Sequence, residues 1–257
     1  MTTFLKALPS NTEGRDFVCG DLHGMYNLLM EELNKVNFDQ DEDRLFSVGD
    51  LIDRGPDSMR CLSLLHETWF FATQGNHDRM LLCYLGITPS LYHTGLDFIR
   101  NGGGWILDKT ITKYMLDDWA NAIEEKMPIV FDVGGNDVDN GFIVTHARQP
   151  DSVPLNYAQI DDIVWDRSLF HDIHEEISDE QRHVYKVKTQ QFFQMSDRNP
   201  DEKVVFVGHN TLPKGHNLFV SNHMMLDSGA YHIHTDTLDS GARLTVLEVK
   251  PFLDSLK

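Results

Sequence analysis

The chain has 257 residues, with 22 Lys plus Arg against 40 Asp plus Glu and a formal net charge of −18 at pH 7. That balance excludes a fold that grips nucleic acid through a basic face, and docking on an anionic membrane surface. With 41% hydrophobic and 10% aromatic residues the chain is globular rather than disordered, and long enough to bury a sizeable core.

In chain order, Met1-Thr2-Thr3-Phe4-Leu5-Lys6 lacks the apolar core of a signal peptide. No apolar run approaches the ~18 residues of a membrane span. Arg15 to Gly20 reads as a strand entering a Gly-containing loop, and Leu29, Leu33 and Val36 form the stripe of an amphipathic helix. Arg44 to Val48 is a second strand, Asp57 and Ser58 start a second helix with Leu62 and Leu65 on one face, and Trp69 to Thr73 is a third strand. Strands alternating with helices indicate parallel βαβ units. Helical spacing continues over Leu96 to Leu107, interrupted at Gly102-Gly103-Gly104, and over Thr112 to Lys126. Ile129 to Val133 and Gly141 to Thr145, joined through Gly134-Gly135-Asn136, read as a hairpin. Residues 150 to 200 are polar, acidic and weakly periodic, which predicts surface helix and loop. Val204 to Val207, Met224 to Leu226 and Leu244 to Val249 are further strands. No repeat or linker divides the chain, so one α/β domain over residues 1–257 is expected. Cys19, Cys61 and Cys83 are odd in number and widely spaced; with no disulfide framework indicated, a cytoplasmic location is expected.

Three strand ends in the first third stop in polar clusters: Gly20-Asp21-Leu22-His23-Gly24, Gly49-Asp50-Leu51-Ile52-Asp53-Arg54-Gly55 and Gly75-Asn76-His77-Asp78. Ligands of open α/β sheets bind outside the carboxyl ends of strands. Asp21 and His23, two apart in an extended segment, project to one side and make a half-site for a divalent ion, to which Asp50 adds a carboxylate able to bridge two ions. His146 and His209 likewise follow apolar strands. Asp21, His23, Asp50, Asn76, His146 and His209 therefore form an O/N ligand set for two ions, without a thiolate because Cys19 lies inside a strand. Mn²⁺ suits that set, with Fe, Zn²⁺ or Ni²⁺ as alternatives. A lone Asp or His at a strand end is ordinarily a turn residue; the repetition of one pattern at five ends carries the assignment. The other nine of the 13 histidines are expected at the surface, His171 and His174 included despite their i, i+3 spacing. Arg54 and Arg167 offer forks for phosphate oxygens, although Arg167 alone would more often be a surface ion-pair residue. His77, next to Asn76, should turn away from the metals yet stay close, where a general acid belongs.

These motifs, in this order and spacing, resemble the metal-dependent phosphoprotein phosphatase family of calcineurin-like metallophosphoesterases. The chain is similar within it to the compact bacterial and bacteriophage-lambda-type serine/threonine phosphatases. Asn101-Gly102-Gly103-Gly104-Trp105, Thr145-His146-Ala147, Val164-Trp165-Asp166-Arg167, Gly208-His209-Asn210 and Leu226-Asp227-Ser228-Gly229-Ala230 extend the likeness over about residues 15 to 250. The resemblance implies a β-sandwich of mixed sheets flanked by helices. It implies Asp21, His23 and Asp50 on one ion, and Asp50, Asn76, His146 and His209 on the other. It makes His77 the general acid oriented by Asp53, with Arg54 and Arg167 on the phosphoryl oxygens. The implied reaction is one-step hydrolysis of a phosphoprotein or phosphopeptide monoester, on Ser/Thr or also Tyr, by a hydroxide between the two metals; no nucleic acid or membrane partner is implied. Two departures stand out. Asp78 replaces the usual Glu, and Gln74 an Arg common in the lambda-type enzymes. Asp78 and Arg54 to Ser58 also resemble the related diadenosine tetraphosphatases, which makes dinucleoside polyphosphate hydrolysis the alternative. Those enzymes typically lack an acid at the position of Asp53, so its presence favours the phosphomonoester branch.

Overall fold

The computed structural model describes residues 2–90, 93–150, 157–169, 183–187, 190–194, 198–212, 215–220, 222–235 and 241–257. A strand at Leu5–Leu8 (β1), without a sequence signal of its own, precedes Asp16–Cys19 (β2), Arg44–Ser47 (β3) and Phe70–Ala72 (β4), the three strands expected in the first third. Between them lie helices Tyr26–Lys35 (α1) and Ser58–Ser63 (α2), and after them Asn76–Tyr84 (α3). Strands β2, β3 and β4 are parallel, and Val246–Glu248 (β12) closes their sheet antiparallel to β2. Alternation explains why this sheet is buried on both faces. Phe17 and Cys19 of β2 and Leu45 of β3 pack against Leu29 and Leu33 of α1 and the other helices, while Val18 and Phe46 point into a second core.

That second core lies against a larger mixed sheet. It contains the expected hairpin, Val130–Val133 (β5) antiparallel to Phe142–Thr145 (β6), with Val204–Val207 (β9) parallel to β6. Beyond these come His183–Val187 (β7), Gln190–Gln194 (β8), Asn217–Val220 (β10) and His223–Met225 (β11), in the order β1-β5-β6-β9-β11-β10-β8-β7. Phe46 meets Phe131 and Phe142 edge-on at 5.6 and 5.4 Å between ring centroids, the geometry aromatic quadrupoles favour. Two helices follow α3: Gly95–Arg100 (α4), ending just before the glycine triplet, and Lys113–Lys126 (α5), whose N-cap hydroxyl on Thr112 accepts from Met115 N–H at 3.3 Å. On the outer face of the large sheet, Tyr157–Val164 (α6) buries Ile160 and Val164 against Ile129 and Val130. Helices thus cover both sheets, the flanked sandwich of mixed sheets that was expected.

One expectation fails. Residues 150 to 200 were read as surface helix and loop, yet β7 and β8 pair there and extend the large sheet through β10. Their sequences, His-Val-Tyr-Lys-Val and Gln-Gln-Phe-Phe-Gln, are short and interrupted by polar residues, so strand propensity is weak until a sheet edge supplies partners. His171 and His174 lie outside the described residues.

Candidate active site

Five strands from both sheets, β2, β3, β4, β6 and β9, end on the same side of the sandwich, and each end delivers a polar group. The first two loops are zipped together: His23 N–H donates to Asp50 O at 2.8 Å and Gly24 N–H to Leu51 O at 2.9 Å. The other sheet joins through His209 N–H, which donates to both Asp21 carboxylate oxygens at 3.2 Å, while within that sheet Gly208 N–H donates to His146 O at 2.7 Å. Close approach is built into the glycines. A Cβ on Gly75 would run into the Asp50 carboxylate, and one on Gly208 into that of Asp21. His23, Asp50, Asp53, Arg54 and His209 all adopt φ between 42° and 73°. Each such non-glycine residue costs about 1–3 kcal/mol, a strain that clusters at functional sites. The other described non-glycine residues in this region, Asn37 and Asn222, are asparagines, which tolerate it.

Asp21, His23, Asp50, Asn76, His146 and His209 are all buried and all brought together. Donor atoms of Asp21, Asp50 and His146 lie within 4.8 Å of one another, as do those of His23, Asp50 and His77, so Asp50 is shared by two neighbouring groups. Nδ1 of His23 faces Ile52 O and Nδ1 of His146 faces Val48 O, each at 2.8 Å. A carbonyl only accepts, so both Nδ1 atoms carry the proton and both Nε2 atoms present lone pairs. The His146 Nε2 lone pair sits 2.9 Å from Asn76 Oδ1, acceptor against acceptor, and among the described residues buried His209 Nε2 has no partner. The His209 ring meets the same amide oxygen through Nδ1 at 2.9 Å, so imidazole and amide groups converge on one point beside a carboxylate common to two clusters, an arrangement that fits divalent cations.

The electrostatics agree. Burial lowers the pKa of His23, with Arg54 and His77 adding to the effect, and burial likewise lowers that of His146. For His209, burial followed by His146 brings the pKa to about 2. The imidazoles are therefore neutral, the form that ligates metal. Burial, then the charges of Asp227 and Asp50, hold the Asp21 carboxyl well above its usual range. Burial acts the same way on Asp50, but His146, His77 and His23 around it prevail, and its carboxyl stays below the ordinary range. Burial raises the Cys19 thiol to about 12 and pushes Cys61 up as well, which leaves neither as a nucleophile.

His77 departs from its expected orientation. The first turn of α3 starts at Asn76, and His77, about 100° further round, also faces the cleft: its ring centroid is 4.7 Å from that of His23. Its Nδ1 lies 2.7 Å from Asp53 Oδ2, and Trp105 Nε1–H donates to Asp53 Oδ1 at 2.7 Å. Arg54 is half-buried and its fork spans two imidazoles, Nη1 at 2.8 Å from His23 Nε2 and Nη2 at 3.0 Å from His77 Nε2. Arg167 is exposed on the rim, where its Nη1–H donates to Asn210 Oδ1 at 3.2 Å, beside His209.

Several neighbours were given no role by sequence reasoning. Asp78 accepts from the N–H groups of Gly75 and Asp50 at 2.9 Å and of Leu51 at 3.1 Å, so one buried carboxylate holds two of the motif loops. An acid at the third position of a helix is a capping signal, but its reach into another loop is not. Tyr231 lies under Arg54, ring centroid 4.6 Å from Cζ, and meets the His23 ring edge-on at 5.1 Å. Of the histidines expected at the surface, His93, His216, His223 and His232 are half-buried instead, and His93 is stacked on Trp165 with centroids 4.3 Å apart.

Residues 17–238 match the family model described as calcineurin-like phosphoesterase. The chain is 33% identical over 153 residues to serine/threonine-protein phosphatase 1 of Salmonella typhimurium, a match covering 59% of this chain and 68% of that protein. It is also 44% identical over 146 residues to a symmetrical bis(5′-nucleosyl)-tetraphosphatase of Nitrosospira multiformis, covering 56% of this chain and 47% of that one. A solved serine/threonine phosphatase from Saccharomyces cerevisiae superposes with a TM-score of 0.53 at 16% identity, over 96% of this chain and 83% of its own, which is a likeness of fold.

Proposed function

The chain belongs to the calcineurin-like phosphoesterase family, a dimetal-dependent family of hydrolases, and from that premise we propose that it removes phosphate from monoesters carried by phosphoproteins. The observation that carries this reading is the Trp105–Asp53–His77 chain: a buried carboxylate, fixed by an indole N–H, fixes an imidazole in turn.

Asp21, His23 and Asp50 would hold one divalent ion and Asp50, Asn76, His146 and His209 the other, with Mn²⁺ the proposed metal and Fe, Zn²⁺ or Ni²⁺ the alternatives. When bound, such ions lower the pKa of the attacking water and offset phosphoryl charge. The chain's own groups do the rest. His77 keeps its Nδ1 proton on Asp53, and Nε2, which accepts from Arg54 Nη2–H in this structure, would take up a proton once Arg54 turns to phosphate and deliver it to the departing serine, threonine or tyrosine oxygen. Asp53 stabilises the imidazolium that this role requires. Arg54, within 3.0 Å of both His23 and His77, has the fork to take two phosphoryl oxygens as they gather charge, and Arg167 adds a second cation from the rim. The net charge of −18 does not oppose this, because distant acidic groups are screened over ~8 Å while these groups are local. The acidic surface should instead disfavour long polyanions and favour neutral or basic phosphopeptides.

A second reading is hydrolysis of dinucleoside polyphosphates, favoured by the 44% identity to the tetraphosphatase over 146 residues and by Asp78. One experiment separates the two: turnover on a phosphopeptide, p-nitrophenyl phosphate and diadenosine tetraphosphate, each with Mn²⁺, Mg²⁺, Ni²⁺ and Zn²⁺. Faster turnover of the monoesters is expected. A preference of about 100-fold for the dinucleotide would replace the first reading, since it corresponds to nearly 3 kcal/mol of transition-state discrimination.

A further inference from the structure

Outside the motif loops, one buried charge pair ties the catalytic helix to the segment that carries Arg167. Arg79, on the first turns of α3, is 3% exposed and Asp161, on α6, is 2% exposed. Arg79 Nε–H and Nη2 both reach Asp161 Oδ1 at 2.7 Å, and Nη1–H donates to Gln74 Oε1 at 3.4 Å. Gln74 in turn donates its Nε2–H groups to Met127 O at 2.8 Å and Ile123 O at 3.3 Å, the carbonyls at the end of α5. The pair is not an efficient device for stability alone. Among the described residues Asp161 Oδ2 has no partner, and a buried ion pair contributes no more than well-packed apolar residues of similar volume. What a forked, directional contact does supply is a unique setting of one helix against another.

That setting reaches the phosphoryl-binding rim within six residues. The main-chain carbonyl of Asp161 accepts from Trp165 N–H at 3.0 Å, so the residue is anchored at its side chain to α3 and at its backbone to the end of α6. The Trp165 ring lies between His93, stacked at 4.3 Å, and His209, edge-on at 5.9 Å. Two residues further, Arg167 donates to Asn210, the neighbour of His209. We propose that the Arg79–Asp161 pair is a positioning element for the reaction: it sets α6, and through Trp165 it holds Arg167 at the distance from Asn76 and His77 that phosphate binding needs. The pair does not touch substrate; it acts through Arg167. The inference rests on the reading of Arg167 as a phosphoryl-binding residue.

The test uses the Mn²⁺-loaded protein and four variants: Arg79→Met/Asp161→Leu, which removes both charges at similar volume, Asp161→Asn, Arg167→Ala, and the triple combination. The Arg79→Met/Asp161→Leu protein is expected to fold, keep its metal content and raise both KM for p-nitrophenyl phosphate and Ki for inorganic phosphate by about 10-fold, with kcat changed less than about 3-fold. Asp161→Asn, which retains an acceptor for the Arg79 fork, is expected to fall between it and the parent, and reports on the same contact if the double variant does not fold. Adding Arg167→Ala to the double variant should raise KM no further, because both changes remove one interaction. A parental KM in the charge-free variant beside a raised KM in Arg167→Ala overturns the positioning role, and so do additive effects in the triple variant. A parental KM in Arg167→Ala itself would instead overturn the reading of Arg167.

Discussion

Strands β2 and β3 are four residues long, yet their two ends treat charge in opposite ways. At the amino ends, Asp16 and Arg44 form a fork-to-fork pair at 2.7 and 2.9 Å, and Asp43 accepts from Arg15 at 2.6 Å, each pair partly open to solvent. At the carboxyl ends, Asp21 and Asp50 are buried, carry left-handed or glycine-dependent neighbours, and accept from backbone N–H groups, those of His209 and His77, with no guanidinium or ammonium fork closing on them among the described residues. The amino end closes its charges on one another in ion pairs. The carboxyl end gathers imidazoles, an amide and two carboxylates, and among the described residues leaves buried His209 Nε2 without a partner, the arrangement of a site that sacrifices stability to bind something else.

Breaking the carboxyl end should act on activity first. Asp50→Asn, at the carboxylate shared by both clusters, is expected to lower kcat by at least about 10³-fold and to reduce bound metal, read by elemental analysis beside turnover of p-nitrophenyl phosphate; removal of metal by chelator should do the same to the parent. Retained metal with near-parental turnover would end the assignment of Asp50. His77→Asn should lower kcat by on the order of 10²–10⁴ while metal content holds. Metal lost in parallel with activity would make His77 a ligand and remove it as the acid. Gly208→Ala drives a methyl group into the Asp21 carboxylate, so a loss of about 1–3 kcal/mol in stability together with weaker metal binding is expected. An alanine variant with parental metal affinity would show that the site tolerates displacement of Asp21.

The smallest effect belongs to the amino end. Asp43→Asn should leave KM and kcat unchanged and lower Tm by about 2–4 °C, the equivalent of about 1 kcal/mol for a pair whose Arg15 side chain is 37% exposed. Burial alone would raise the Asp43 carboxyl, but the Arg15 guanidinium and the N–H groups of Asp39 and Arg15 outweigh it and hold the pKa below its usual value. Its stabilisation is therefore complete above the ordinary carboxylate pKa of ~3.9 and is lost as pH falls through the lower folded value. The Tm difference between parent and Asp43→Asn should shrink over that acid range; a constant difference would assign the effect to packing.

Much of the catalytic end was legible because its signal is local. A short apolar run that stops at Gly-Asp, Gly-Asn, Thr-His or Gly-His marks a strand end, and five such ends put Asp21, His23, Asp50, Asn76, His146 and His209 forward as one candidate ligand set before any fold was known. The parallel strands, the hairpin at residues 129 to 145 and the helices α1, α2 and α5 followed from periodicity and caps in the same way. Groups that act across the chain were not legible. Trp105 reaches Asp53 over 52 residues, and Asp161 reaches Arg79 over 82. Strands β7 and β8 needed a sheet edge before their weak alternation meant anything.

The division has a physical basis. By itself the sequence determined which carboxylate, imidazole, amide and guanidinium groups the chain offers and the strand ends that expose them, since these depend on residue type and near neighbours. Only the tertiary structure decided how those groups are tuned and aimed. His77 faces the cleft beside His23, Asp78 clamps two loops, and burial makes the imidazoles of His23, His146 and His209 neutral and raises the Asp21 carboxyl. These outcomes depend on desolvation and on distances between residues far apart in the chain, which exist only once the two sheets are packed face to face.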